Sequence, residues 1–98
     1  YMLIKADLDK VVELMPDFAY GFFNRANLLM ELNDFKGAVV DYSTAIEIDS
    51  HFAEAYFNRG LAYLYMGNTE LGVADLSKAG ELGLDDAYGV IKKYCTEE

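Results

Sequence analysis

Cysteine, proline and cationic side chains are scarce in this 98-residue chain, and each scarcity removes a class of explanation. The one cysteine, Cys95, cannot close a disulfide within the chain, and a lone thiol fits a reducing compartment. A single proline and unclustered glycines leave no flexible linker that would divide the chain into halves. No apolar run approaches the roughly 20 residues of a membrane span. The start, Tyr1-Met2-Leu3-Ile4-Lys5-Ala6-Asp7, lacks the basic flank and small-residue cleavage site of a signal peptide. These absences lead us to expect a cytoplasmic setting without membrane association. Eight Lys and Arg against seventeen Asp and Glu give a net charge of -9. Nucleic acid is not an expected partner, because phosphate binding needs a concentrated cationic surface. A basic peptide or protein is electrostatically allowed, although such charge also keeps an apolar-rich chain in solution.

Catalytic and metal-binding groups are equally sparse. His51 is the sole histidine and reads as an exposed loop imidazole rather than a general base. Cys95 falls near Ile91 on the apolar side of the last helical pattern, as a small packed thiol without a histidine in range. Neither has partners at zinc-ligand spacing. The pairs Asp7/Asp9 and Asp85/Asp86 lack the Asp-x-Asp-x-Asp-Gly run and distal Glu of a calcium loop, and Asp85-Asp86 instead suits the start of a helix. No catalytic residue, metal site or cofactor is expected.

What the chain does have is a repeat. Asp7, Asp41 and Asp75 are spaced 34 apart, as are Glu13, Glu47 and Glu81, and the segments around them align without a gap. Phe18-Ala19 through Phe23-Asn24-Arg25 returns at the same offset as Phe52-Ala53 through Phe57-Asn58-Arg59. A fixed period of this length points to stacked supersecondary units rather than one globular core. The hydrophobic content of 53% is ample for packing and argues against disorder.

Each period holds two helical patterns and a break. Phe22, Ala26, Leu29 and Leu32 make one apolar face, Asn33-Asp34 interrupts it, and Ala38, Val39, Tyr42, Ala45, Ile46 and Ile48 make the next. The following period repeats this with Tyr56, Gly60, Tyr63 and Met66, then Gly67-Asn68, then Val73, Leu76, Ala79 and Leu82. No strand-like alternation of useful length occurs, so the expected class is all-α. Small residues match across the period at Ala26/Gly60, Ala38/Gly72 and Ala45/Ala79, where they let helices approach closely. Glycine inside a helix costs about 1 kcal/mol relative to alanine, so Gly60, Gly72 and Gly80 call for compensation by packing.

The order of aromatic, small residue, aromatic or Leu, turn, and Ala-Tyr-Ala resembles the tetratricopeptide repeat. Ala53-Glu54-Ala55-Tyr56-Phe57-Asn58-Arg59-Gly60-Leu61-Ala62-Tyr63 is highly similar to that family's first helix. The resemblance implies a right-handed α-α superhelix, a solenoid of antiparallel helix pairs. In that reading the single domain 1–98 comprises a second helix of an incomplete repeat (1–17), full repeats at 18–51 and 52–86, and a C-terminal capping helix (87–98). Ile4 and Val11 stand where the pattern has alanines, and Ser50 and Leu84 where it has closing prolines.

The resemblance also implies a non-catalytic scaffold for protein–protein interaction, with a peptide or protein segment held in a concave groove lined by the first helices. Its positions here are Tyr20, Phe23, Asn24, Asn27, Met30 and Glu31, then Glu54, Phe57, Asn58, Leu61, Leu64 and Tyr65. One subgroup of the family grips acidic peptide C-termini through a carboxylate clamp. Asn27, Asn58 and Lys92 match part of it, whereas Phe23 and Tyr88 occupy the places of two clamp lysines, so an acidic tail is not the expected ligand. The alternative function is self-association within a larger multi-repeat assembly. The N-terminal helix, with Leu3, Ile4, Leu8, Val11, Val12 and Met15, has too many apolar residues for a free surface, and we expect it to pair with another copy or with upstream sequence.

Asn-Arg at 24–25 and 58–59 is the most prominent polar repeat. Arg25 and Arg59 could anchor a ligand. Because Asp7, Asp41 and Asp75 recur in the same phase, the structural reading pairs Arg25 with Asp7 or Asp41 and Arg59 with Asp41 or Asp75.

Overall fold

The turn chemistry sets the architecture. In a computed structural model that describes residues 2–96, with side chains described for 4–94, six helices follow one another. They are α1 (Met2–Leu14), α2 (Ala19–Glu31), α3 (Phe35–Ile48), α4 (Ala53–Tyr65), α5 (Thr69–Glu81) and α6 (Asp86–Thr96). No strand occurs among the described residues. Asn33 and Gly67, one period apart, both take left-handed backbone angles, φ 61° and 83°, which end α2 and α4 sharply. The next residue in each case caps the following helix: Asp34 accepts from the Gly37 amide at 3.0 Å and Asn68 from the Leu71 amide at 3.4 Å.

Short turns make α2/α3 and α4/α5 antiparallel pairs, and α3 packs on α4, α5 on α6 and α1 on α2. The result is an all-α solenoid with extents of 43 × 25 × 17 Å. One core cluster joins Ala26, Leu29, Ala38, Tyr42, Ala45, Phe52 and Ala55; a second joins Leu76, Ala79 and Ala87. Tyr42 and Leu76 are the largest fully buried side chains. Burial of such a side chain contributes about 1.5–3 kcal/mol.

Close approach explains Gly60, Gly72 and Gly80. A Cβ on Gly72 would stand 2.9 Å from the Gly60 carbonyl oxygen and 2.7 Å from Leu64 Cδ2, so α4 and α5 meet at a contact that excludes a methyl group. A Cβ on Gly80 would strike the Tyr88 ring at 2.5 Å, because that ring lies across α5. Volume is exchanged at the other junctions. Val11 is bulkier than its counterpart Ala45, and it packs on Gly21, whose own counterpart is Ala55.

Helix α1 spends part of its apolar face inside the chain. Val12 is buried, and Val11 and Val12 both approach Gly21 of α2, so these two residues pack within the chain rather than serving the expected pairing with another copy or upstream sequence. Leu8 is half-buried, while Ile4, Leu14 and Met15 are exposed. The side chain of Leu3 lies outside the described residues.

Candidate functional site

The two arginines on the first helices form a repeating frame. Arg25 on α2 donates through Nε and Nη2 to the two oxygens of Asp41 on α3, at 2.6 and 2.8 Å, and through Nη1 to Asp9 on α1 at 3.0 Å. Arg59 on α4 repeats this with Asp75 at 2.7 and 2.8 Å, and its Nη1 donates to Ser43 on α3 at 3.0 Å. Asp9 and Ser43 are themselves one period apart. Each guanidinium therefore ties its own helix pair to the preceding second helix. Bidentate geometry of this kind is rigid and specific. Arg25 also lies 5.8 Å from the centroid of the Phe22 ring, and Arg59 lies 5.6 and 5.9 Å from those of Tyr56 and Tyr63.

This frame corrects one expected partner. Asp7 is in phase with Asp41 and Asp75, which face the first helix of their own pair, so Asp7 points away from α2 and is exposed. Two residues further, roughly 200° around the helix at 3.6 residues per turn, Asp9 faces α2 and takes the bond. Asp41, the alternative partner for Arg59, is held by Arg25 instead.

The electrostatics follow the bonds. Hydrogen bonding to Asp41 raises the Arg25 pKa against the opposing effect of burial, with Asp9 adding to the rise. Hydrogen bonding to Asp75 does the same for Arg59. Burial pushes the Asp9 carboxyl up, but bonds from Lys5 and Arg25 together outweigh it and hold the group below the usual carboxylate range.

The expected groove residues divide into three sets. Tyr20, Asn24, Glu31, Glu54 and Tyr65 are exposed. Phe23, Met30, Phe57 and Leu64 are half-buried and pack against the two core clusters, so part of each side chain serves the core. Leu61 is half-buried as well. Asn27 and Asn58 form the third set. Asn58 Nδ2 donates to Asn27 Oδ1 at 3.0 Å, and the same oxygen accepts from the Tyr42 hydroxyl. Burial pushes the Tyr42 phenol well above its ordinary pKa, with hydrogen bonding to Asn58 acting in the opposite direction.

Sequence reasoning missed the aromatic support of this face. Tyr20 stacks with Phe52 at 4.9 Å between centroids and touches Phe18 and Phe23 at 6.2 Å. Phe23 in turn meets Phe52 at 4.7 Å and Tyr42 at 5.8 Å. The signal was present, since Phe18 and Phe52 precede α2 and α4 one period apart. The role of Tyr42 had no such signal, because Leu76 holds the equivalent place.

A cleft of about 370 Å³ between α1, α2 and α3 is lined by Lys5, Arg25, Leu29, Asp34, Gly37, Val40 and Asp41. Its charged groups are already engaged: Lys5 with Asp9, Arg25 with Asp41, and Asp34 as the α3 cap. His51 is exposed, with Ser50 Oγ 3.4 Å from its ring Nδ1. The side chain of Cys95 lies outside the described residues. Among the described residues no cluster of three or more His, Cys, Asp or Glu could hold a metal, and no helix is long and apolar enough to cross a membrane.

Comparison with known proteins places this geometry. A TPR repeat model matches residues 26–67 and a tetratricopeptide repeat model matches residues 53–82, so the two span more than half the chain. No match was found among curated protein sequences. Among solved structures, the Arabidopsis OM64 TPR domain is similar with a TM-score of 0.89 and 25% identity over 96% of this chain and 79% of that one. YrrB, described as a TPR protein with an unusual peptide-binding site, gives 0.81 and 26% over 92% of this chain and 49% of its own. The first TPR of Spaghetti (RPAP3), bound to the HSP90 peptide SRMEEVD, gives 0.87 and 23% over 91% of this chain and 72% of that one. The chain thus spans about half the length of YrrB, and it covers 52% of MamA. With helix pairs, turns and arginine frame all recurring at one period, the chain belongs to the tetratricopeptide-repeat family.

Proposed function

We propose that the chain is a non-catalytic protein-interaction scaffold, and that the concave face of α2, α4 and α6 receives a peptide or protein segment. The observation that carries this reading is the row at equivalent places on successive first helices: Tyr20, Glu54 and Tyr88 are all exposed while the opposite faces of the same helices are spent on the core. Rigid aromatic side chains give large contact area at low entropy cost, and the adjacent amides can bond an extended backbone. The peptide bound to the first TPR of Spaghetti and the peptide-binding site named for YrrB support the same reading. In this reading the full repeats are 18–51 and 52–86, with α1 as the second helix of a preceding unit and α6 as a closing first helix.

The second reading, self-association through α1, is favoured by the exposed Ile4, Leu14 and Met15. Alanine substitution separates the two. Tyr20→Ala and Phe57→Ala weaken a bound peptide and leave the sedimentation mass unchanged if the groove is the site. If α1 assembles copies, Ile4→Asp reduces the mass and the groove variants do not affect peptide capture.

A further inference from the structure

Deepening that groove reading, and resting on it, we infer that the occupant is a basic segment: a stretch of chain whose Lys or Arg side chain pairs with Glu54, with a neighbouring apolar side chain against the exposed ring of Tyr20.

The argument begins with charge. On α2 and α4, the lining positions carry two exposed carboxylates, Glu31 and Glu54, and neither has an ion-pair partner among the described residues. The cations of these helices do not offset them. Arg25 and Arg59 are turned into the helix pairs and bonded to Asp41 and Asp75, with side chains only 23% and 19% exposed. Lys92 lies on α6, at the place equivalent to Asn24 and Asn58 and one helical turn beyond Tyr88. A chain of net charge -9 adds a field that attracts cationic segments and repels acidic ones before contact.

Ring chemistry points the same way. Tyr20 and Tyr88 are 56% and 49% exposed, one period to either side of Glu54. Tyr20 is backed by Phe52 of the core, whereas the Tyr88 ring lies across Gly80 of the second helix α5. An exposed carboxylate on α4 and an exposed tyrosine ring at the equivalent place on α2 each attract a guanidinium or ammonium rather than an anion. The chain already uses this chemistry internally, where Arg59 lies against Tyr56 and Tyr63 while bonded to Asp75.

The amide pair keeps hydrogen-bonding capacity beyond its own bond. Asn27 Oδ1 accepts from Tyr42 and Asn58, and Asn58 Nδ2 uses one of its two hydrogens there. An amide that has made one such bond retains both a donor and an acceptor, which suits a peptide group.

The test uses the intact chain against a random 12-residue peptide display library, followed by synthesis of the enriched peptides with blocked termini. Enrichment of Lys or Arg beside Leu, Phe, Tyr or Trp is expected. Glu54→Gln and Tyr20→Ala should each weaken the synthetic peptide by about tenfold, the worth of one charge-assisted contact at a partly solvated site. Glu54→Lys should shift enrichment towards acidic peptides. Both positions are exposed, and matched circular dichroism melting curves establish that the variants fold. Enrichment of acidic peptides by the unmodified chain, or an affinity indifferent to Glu54→Gln, overturns the inference while leaving the groove reading intact. Enriched peptides that perturb no first-helix amide in nitrogen-15 spectra overturn both.

Discussion

Asn58 Nδ2 lies 3.0 Å from Asn27 Oδ1, so an amide on α4 donates to an amide on α2 across the junction between successive helix pairs. The same oxygen accepts from the Tyr42 hydroxyl on α3, and three helices therefore share one acceptor. Replacing Asn27 by Leu removes the acceptor shared by the Tyr42 hydroxyl and Asn58 Nδ2, which costs about 1–3 kcal/mol. Tyr42→Phe deletes the donor instead and costs about 1 kcal/mol, because the amide pair survives. Urea denaturation compares the two. Asn27→Leu is expected to be the more damaging, and equal midpoints would contradict the shared-acceptor arrangement.

The arginine frame makes a sharper demand. Asp75 is 7% exposed and receives both oxygens' bonds from Arg59. Arg59→Met strands that carboxylate and should destabilise the chain by about 3–5 kcal/mol, whereas the double variant Arg59→Met/Asp75→Leu should recover most of the loss. A double-mutant cycle by chemical denaturation measures the recovery. Simple addition of the two single losses would mean that the pair is not acting as a unit.

Glycines in the helices divide by what surrounds them. Gly72→Ala places a methyl 2.9 Å from the Gly60 carbonyl oxygen and should cost about 1–3 kcal/mol despite the better helix propensity of alanine. Gly89 lies inside α6 with nothing within 4 Å of a Cβ, so Gly89→Ala should stabilise by up to about 1 kcal/mol. Opposite signs in thermal melts are the expected outcome.

Tyr42 also gives the fold an alkaline limit. Its phenol has a pKa raised by burial, while an unfolded tyrosine ionises near pH 10. The unfolded state therefore releases a proton that the folded state retains, and stability falls as pH rises above about 10. The contribution is complete at lower pH. Absorbance titration of tyrosinate should show one ionisation that coincides with loss of helical signal and disappears in Tyr42→Phe.

Stability at the acid end depends in part on Asp9. Its carboxyl is held below the usual range, so the unfolded state takes up a proton first as pH falls and the Arg25–Asp9 tie weakens below about pH 4. In Asp9→Asn, the slope of stability against pH between about 4 and 2 should be shallower than in the unmodified chain.

The helices, their pairing and the places of close approach were legible because one period governs them: Asn33 and Gly67 break alike, and Ala26/Gly60 and Ala38/Gly72 keep their small size. The Arg25 and Arg59 bonds to Asp41 and Asp75 were legible for the same reason. Asp9 was not, because its counterpart Ser43 shares its place but not its charge, and a charge-based pattern passes over it. How far the candidate groove positions are shared with the core was not legible. Phe23 and Phe57 are half-buried against the core clusters, and a helix-face pattern cannot apportion one ring between core and surface.

The most direct test of the interaction face is residue-resolved. A nitrogen-15-labelled chain is titrated with the strongest synthetic peptide from the display selection, and amide shifts are mapped onto the helices. The expected result is saturable perturbation concentrated at Tyr20, Asn24, Asn27, Glu54 and Asn58, with the second helices little changed. Perturbation confined to α1, or spread over α3 and α5 with the first helices unmoved, would contradict it.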